Sequence, residues 1–244
     1  MTTTIQTSRT KIAIIITAAG SSTRMGGGVK KEFLPLKNGT VLSGCAESFL
    51  NACLEKYEIT DFVITCRAGS QNEAEKALSS CHYSAFSFVT GGASRQESVY
   101  NGLKCIEKNG RKPRLVLVHD GARPFVTGRI ILEGIENALL YGAAVPGITP
   151  TDTQKEVDEK GMIVRHLVRS RLAAVQTPQI FEFEPLLNAH EKALEVVKKT
   201  EKSSCKKEYT DDTEIWGEFC GRVKVYPGDV KNIKITYPGD LQKV

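Results

Sequence analysis

Residues 11–28 read KIAIIITAAGSSTRMGGG, an apolar and largely β-branched run followed by small residues and glycines. The run Lys11–Thr17 has the length of a strand, and no apolar run in the chain reaches the ~18 residues that a membrane-spanning helix needs. Because successive rather than alternate positions are apolar, the run predicts a central strand that is buried on both faces.

Similar runs recur along the chain and alternate with helical patterns. They are Asp61–Arg67, Ser84–Thr90, Leu115–His119, Ala143–Thr149, Arg222–Tyr226 and Ile233–Tyr237. This alternation predicts the α/β class, with a mostly parallel sheet covered by helices on both faces. The segment Ser94–Glu97 reads as a capping box in front of one helix, and a second helix is predicted after Pro185.

The composition is that of a folded globular protein. Of the 244 residues, 41% are hydrophobic and 25% are charged, and a chain of this length can bury its own core. We therefore expect one domain over residues 1–244. Neither a secretory signal nor a membrane span is readable, which makes the cytoplasm the expected location.

The charge and the cysteines exclude some function classes. The net charge of +5 comes without a basic run interleaved with aromatic residues, so we expect no nucleic-acid partner and no membrane partner. Small anionic substrates fit the scattered basic residues better. The seven cysteines include no Cys-x-x-Cys pair, and with only four histidines a zinc site is not expected. We expect reduced cysteines.

Residues 151–176 interrupt the alternation of strands and helices. They are polar, and Gly161 lies between two short alternating stretches, which predicts a hairpin that projects from the sheet. An isolated two-stranded ribbon is only marginally stable. An arm for dimerisation is therefore favoured, and an active-site flap is the alternative.

The loop after the first predicted strand is a candidate phosphate site. Ligands of open α/β sheets bind at the carboxyl ends of strands, where small residues let backbone N–H groups approach anionic oxygens. The two common glycine-rich phosphate motifs fail, because Met25 and Ser22 stand where they require glycine. We expect Arg24 and Lys31 to face the phosphates, and a flexible turn with surface cations is the alternative.

Two further segments place polar residues beside strand ends or helix starts. Asp120 follows a predicted strand and could hold Mg²⁺ against a triphosphate, and Arg123 could pair with a phosphate. Gly92 precedes a helix N-terminus whose Arg95 and Ser98 share one face, an arrangement that suits an anion or a ribose. Taken alone, a salt bridge in a turn and ordinary helix capping explain these segments equally well.

Taken in order, these segments resemble the 2-C-methyl-D-erythritol 4-phosphate cytidylyltransferase family from about Lys11 to Leu241. The resemblance rests on AAGSSTRM, KKEFLPL, GGASRQESVYNGL, VHDGARPFV, TDTQKEV, QTPQIF, YTDDTE and NIKITYPGDL. It implies a Rossmann-like nucleotidyltransferase fold, usually a homodimer, in which residues 151–176 form the dimerisation arm. It also implies that the phosphate of a sugar alcohol attacks the α-phosphorus of CTP with Mg²⁺ present, releasing pyrophosphate.

The resemblance further implies roles for individual residues. Arg24 and Lys31 correspond to loop cations that stabilise the transition state, and Arg169 and Lys234 to basic residues that position the methylerythritol phosphate. Asp120 corresponds to the Mg²⁺ ligand. The nucleotide-binding set is Ala18, Ala19, Gly20, Ser21, Gly92, Arg95 and Ser98, and the substrate-binding set is Arg123, Thr153, Thr177 and Thr210.

The chain departs from the family pattern at a few positions. Ser22 replaces a common glycine, and Lys30 competes with Lys31 for the role of loop lysine, although Lys31 keeps the family's spacing to the following Phe-Leu pair. Lys231 stands where some relatives have an acidic residue, and Asp229 is a weak substitute as a second metal ligand. The alternative functions are a ribitol 5-phosphate cytidylyltransferase and a non-catalytic nucleotide-binding module.

Overall fold

The structure is a computed structural model that describes residues 9–22, 25, 30–200, 207–237 and 239–240. Its first half contains β1 (Lys11–Ala18), β2 (Pro35–Leu36), β3 (Gly39–Thr40), α1 (Val41–Cys53), β4 (Glu58–Cys66), α2 (Gln71–Ala77), β5 (Phe86–Thr90), α3 (Arg95–Asn109) and β6 (Leu115–Asp120). Its second half contains α4 (Gly128–Tyr141), β7 (Ala143–Ile148), β8 (Lys155–Val157), β9 (Ile163–His166), β10 (Ala174–Val175), β11 (Gln179–Glu182), α5 (Phe183–Thr200), α6 (Asp212–Phe219) and β12 (Lys224–Pro227).

The main sheet has eight strands, in the order β10-β7-β11-β6-β1-β4-β5, with β12 paired to β7. Strand β1 lies in parallel between β4 and β6, and β11 runs antiparallel between β6 and β7. Five consecutive residues of β1, Ile12–Ile16, have no exposed surface. The predicted central strand and the predicted α/β class with a mostly parallel sheet are both confirmed.

Helices cover both faces of this sheet. Ile14 points to the layer that contains α1 and α4, whereas Ile15 points to the layer that contains α3 and α5. Side chains alternate between the two faces of a strand, so an uninterrupted apolar run fills both layers. Helix α3 packs closely because Gly102 leaves room for Ile15: a Cβ at that glycine would lie 3.1 Å from the isoleucine side chain.

The predicted strand ends differ from the observed ones by a few residues, and one predicted strand is wrong. Residues 233–237 do not form a strand, although their apolar and polar residues alternate. Their link to the sheet's end is a backbone hydrogen bond of 2.8 Å from the Ile235 N–H to the Ala122 carbonyl. Conversely, Gln179–Glu182 lies outside the predicted strands and forms β11, a largely buried strand of the sheet.

Residues 151–176 contain the predicted hairpin, which is confirmed. Strands β8 and β9 pair only with each other among the described strands, and all their residues are exposed. The turn between them is closed by Asp158, whose Oδ1 accepts hydrogen bonds from the N–H groups of Lys160 and Met162. Gly161 takes the left-handed conformation, with φ of 77°. A role in dimerisation stays a prediction.

Two further observations concern the cysteines and the apolar character of the helices among the described residues. Every cysteine in the described ranges is free, and Cys205 lies outside those ranges. Within the same ranges no helix combines the length and the apolar character that crossing a membrane would require.

Candidate active site

A cleft of about 930 Å³ opens at the carboxyl ends of β1, β4, β5 and β6. Strands of a parallel sheet end on one edge, so loops that are distant in sequence meet there. The predicted residues that line it are Ala19, Gly20, Ser21, Lys31, Gly92, Arg95, Ser98, Asp120, Thr210 and Lys234. Ala18, Arg123, Thr153, Arg169 and Thr177 do not line it, and Arg24 lies outside the described residues.

The small-residue loop after β1 rests on a buried carboxylate. Ser22 has a left-handed φ of 50°, and its hydroxyl lies 3.4 Å from Glu32 Oε2. A Cβ at Gly20 would lie 3.9 Å from the other oxygen of Glu32. Burial raises the pKa of the Glu32 carboxyl above its ordinary value. Sequence reasoning did not single out Glu32, because only the folded loop brings it beneath residues 20–22.

The structure separates the two competing lysines. Lys30 forms an ion pair with Glu73 in α2 and a hydrogen bond to the Ser70 hydroxyl, and it does not line the cleft. Lys31 lines the cleft and is 8% exposed. The geometry therefore favours Lys31 as the lysine that meets a ligand.

Asp120, the last residue of β6, lies among three basic side chains. Its Oδ2 is 2.7 Å from Lys234 Nζ and 3.7 Å from Arg123 Nε, and its Oδ1 is 3.5 Å from Arg95 Nε. Burial alone would raise the pKa of the Asp120 carboxyl, but Lys234, Arg95 and Arg123 hold that pKa far below its usual range. The carboxylate is ionised at neutral pH and holds three cations at one end of the sheet.

Thr177 lies behind Asp120 and is 4% exposed. Its hydroxyl oxygen accepts a hydrogen bond of 3.1 Å from the Asp120 N–H and lies 2.9 Å from His119 Nδ1. Nε2 of His119 lies 3.0 Å from the Arg123 carbonyl, which can only accept, so Nε2 carries the hydrogen and the threonine hydroxyl donates to Nδ1. Burial lowers the pKa of His119 to about 4, so the ring is neutral.

Arg123 and Ala18 lie behind the wall of the cleft and support it without lining it. Arg123 Nη1 donates a hydrogen bond of 2.8 Å to the Asn232 carbonyl, two residues before Lys234. The buried Asn232 amide in turn donates to the Thr177 carbonyl at 3.0 Å. These bonds fix the loop that carries Lys234. Ala18 is buried in the core at the end of β1.

The predicted residues of the hairpin segment lie outside this cleft. Thr153 and Arg169 are both exposed, and Arg169 Nη1 donates to the Thr151 carbonyl at 2.6 Å. The chain's own fold therefore does not bring either residue to Asp120.

The glycine pair before α3 is explained by close packing. A Cβ at Gly91 would lie 2.4 Å from the Ala19 Cβ, and one at Gly92 would lie 2.2 Å from the Glu97 side chain. Ser98 Oγ accepts the Gly92 N–H at 3.0 Å. The Ser94 hydroxyl caps the helix as predicted, by accepting the Glu97 N–H.

The other half of the predicted capping box is different. The Glu97 carboxylate accepts a hydrogen bond of 2.7 Å from the Ala93 N–H, and not the expected bond from Ser94. The carboxylate therefore fixes the turn that leads into α3, next to the cleft wall.

The Asp120 carboxylate fits a magnesium ion that takes few ligands from the protein. Among the described residues no group of three or more His, Cys, Asp or Glu side chains could hold a metal. Mg²⁺ usually takes one or two carboxylates and completes its shell with phosphates and water, and Asp120 can supply one carboxylate. Asp229 does not line the cleft, and its Oδ1 accepts the Lys231 N–H at 2.8 Å.

Comparison with known proteins identifies relatives over nearly the whole chain. The family model described as 2-C-methyl-D-erythritol 4-phosphate cytidylyltransferase matches residues 12–244. The enzyme of that name from Clostridium botulinum (strain 657 / Type Ba4) is 38% identical over 95% of this chain and 94% of its own length. The enzyme of that name from Caldanaerobacter subterraneus is 37% identical over 94% of this chain and 95% of its own.

Solved structures give the same result. The crystal structure of 4-diphosphocytidyl-2C-methyl-D-erythritol synthase from Anaerococcus prevotii matches with a TM-score of 0.77 and 25% identity, over 96% of this chain and 94% of that one. The structure of 2-C-methyl-D-erythritol 4-phosphate cytidylyltransferase from Thermus thermophilus matches with a TM-score of 0.71 and 28% identity, over 96% of both chains.

Proposed function

Since the chain belongs to the 2-C-methyl-D-erythritol 4-phosphate cytidylyltransferase family, we propose that it joins CTP and 2-C-methyl-D-erythritol 4-phosphate. The products are 4-diphosphocytidyl-2-C-methyl-D-erythritol and pyrophosphate. The observation that carries this proposal is the cleft, in which Lys31, Arg95 and Lys234 lie around the small-residue loop and Asp120. Cations and backbone N–H groups at strand ends are the groups that bind polyanions.

The reaction needs positioning and charge more than proton transfer. An oxygen of the sugar phosphate forms a bond to the α-phosphorus of CTP while the bond to the bridging oxygen breaks, and pyrophosphate leaves. A phosphate monoester is largely ionised at pH 7, because its second pKa is about 6, so no side chain has to remove a proton. The obstacle is the mutual repulsion of two polyanions, which fixed positive charge overcomes.

The described residues divide this work between two sides of the cleft. On the nucleotide side, the backbone of residues 19–22 and the Lys31 ammonium face the triphosphate, and Arg95 and Ser98 lie beside it at the start of α3. On the sugar-phosphate side, Lys234 attracts the incoming phosphate. Arg24 keeps its proposed role as the second loop cation, on the family resemblance alone.

Asp120 is the residue that would hold a magnesium ion. Bound there, the ion would neutralise charge on the triphosphate. Within the protein the Asp120 carboxylate already performs a second task, because it fixes the ammonium group of Lys234 at 2.7 Å.

We further propose a homodimer formed through residues 151–176. The hairpin exposes apolar side chains, among them Met162, Ile163 and Val164, at 65%, 54% and 59%. Thr153 and Arg169 lie in this segment and away from the chain's own cleft, so a role in substrate binding requires a second copy. Light scattering should give twice the monomer mass, and Ile163→Glu should shift it toward the monomer. A monomeric parent protein refutes the dimer.

The deciding experiment measures pyrophosphate release from CTP and Mg²⁺, with methylerythritol phosphate and ribitol 5-phosphate as parallel acceptors. We expect turnover with methylerythritol phosphate and at most a trace of turnover with ribitol 5-phosphate. Preference for ribitol 5-phosphate would assign the other cytidylyltransferase activity. CTP binding without pyrophosphate release from either acceptor would identify a nucleotide-binding module instead.

A further inference from the structure

Arg95, the first residue of α3, bridges two carboxylates through two different nitrogens of its guanidinium group. Its Nε lies 3.5 Å from Asp120 Oδ1 in the cleft, and its Nη1 lies 2.7 Å from Asp212 Oδ2. Asp212 is the first residue of α6, has no exposed surface, and does not line the cleft. The shorter of the two Arg95 contacts is therefore the one with Asp212, a residue that lies outside the cleft wall.

Asp212 is held rigidly from its other sides. Its Oδ1 lies 3.0 Å from Nε2 of His190, a residue of α5 that is also fully buried. Its backbone N–H donates a hydrogen bond of 3.1 Å to Gln179 Oε1 in β11. Helix α5 and strand β11, neither of which lines the cleft, therefore hold Asp212 in place behind it.

A buried carboxylate is costly unless it is paired and hydrogen-bonded. Burial would raise the pKa of the Asp212 carboxyl, but Arg95 and His190 hold it below the ordinary value. The same carboxylates, Asp212 and Asp120, raise the pKa of Arg95 above its ordinary value although burial opposes this. Both partners are charged, and the planar guanidinium group is fixed by its two acceptors.

We propose that Asp212 is a positioning residue, which holds the Arg95 guanidinium group at the nucleotide side of the cleft and thereby sets the affinity for CTP. Without Asp212, the guanidinium group would have Asp120 as its single carboxylate partner and would turn toward it. This inference rests on the proposed function, because it concerns the same cleft and the same nucleotide.

The test is a double-mutant cycle read out as the dissociation constant of CTP. Asp212→Asn keeps the volume of the side chain and removes its charge, and it is measured alone and combined with Arg95→Ala. We expect Asp212→Asn alone to weaken CTP binding about tenfold, the size of one lost charged hydrogen bond. In the Arg95→Ala background we expect less than about a twofold effect, since the residue through which Asp212 acts is absent.

A matched control separates positioning from folding. Asp61 in β4 is another buried carboxylate, accepts a hydrogen bond of 2.7 Å from Asn109 Nδ2 and does not line the cleft, so Asp61→Asn should leave CTP affinity unchanged whatever it does to the melting temperature. If Asp212→Asn does not fold, His190 supplies the test. His190→Asn is too short to reach Asp212 and should weaken CTP binding, whereas His190→Gln can replace the Nε2 donor and should retain it.

Each outcome decides. Equal effects of Asp212→Asn in both backgrounds overturn the positioning role. Unchanged CTP affinity in Asp212→Asn overturns it as well. Where that variant does not fold, unchanged CTP affinity in His190→Asn has the same consequence. These results require that the parent protein binds CTP. Failure of the parent to bind CTP would instead refute the proposed function.

Discussion

Replacing Thr177 with valine removes one hydroxyl from behind Asp120 without changing the volume of the side chain. The hydroxyl accepts the Asp120 N–H at 3.1 Å and bonds to His119 Nδ1 at 2.9 Å, and the residue is 4% exposed. Both partners would then be buried without a hydrogen bond. Each such unsatisfied group costs about 1–3 kcal/mol, so we expect the free energy of unfolding to fall by about 2–6 kcal/mol.

The assay is thermal and urea unfolding of Thr177→Val beside Thr177→Ser. For a chain of this size each kcal/mol lowers the melting temperature by about 2–4 °C, so the valine variant should melt roughly 4–24 °C below the parent. The serine variant keeps the hydroxyl and loses one methyl group, which costs about 1 kcal/mol. A valine variant as stable as the serine variant would refute the assignment of these two hydrogen bonds.

Three further predictions concern charge. Lys31→Ala should lower kcat by about 10²-fold or more, by analogy with loss of one oxyanion donor, while Lys30→Ala should retain kcat; similar values in both variants would contradict the choice of Lys31. Lys234→Ala should raise the KM for the sugar phosphate and lower kcat, and steady-state kinetics with an unchanged KM would contradict that role. The pKa of His119 falls from 6.5 in the unfolded chain to about 4 in the folded protein. The neutral buried ring therefore contributes its full share to the free energy of unfolding above pH 6.5, and this share is lost as the pH falls toward 4. Between pH 7 and pH 5 the parent should lose about 2 kcal/mol more than His119→Gln in urea unfolding, and equal losses would exclude a neutral buried ring.

The sequence predicted the parts of the fold that depend on local pattern. The uninterrupted apolar run of β1 can be satisfied only between two helical layers, and that is where it lies. The strand predicted at residues 233–237 has the right alternation and fails because the segment passes the end of the sheet, where Ala122 supplies a backbone partner for Ile235. Alternation specifies which faces are apolar, and it does not specify whether a neighbouring strand is present.

The site divides in the same way. Residues 18–22, 91–98 and Asp120 could be found because each follows a predicted strand, where ligands bind in such sheets. Asp212 lies in the motif YTDDTE, but its contacts with Arg95 and His190 could not be predicted, because both partners are distant in sequence. The choice between Lys30 and Lys31 likewise depends on a tertiary contact, the ion pair of Lys30 with Glu73.

The charges around Asp120 follow from the demands of the proposed reaction. Three cations at one strand end would repel one another, and each is carried by a long side chain with several rotatable bonds, so it could move away. One buried carboxylate offsets part of that repulsion and fixes Lys234 and Arg95 at opposite oxygens, yet leaves the group with net positive charge. The positive charge is therefore in place before two polyanions meet, and little reorganisation is needed during reaction. It also follows that a substitution of Asp120 changes the cations and any bound metal together, so loss of activity alone would not identify Asp120 as a metal ligand.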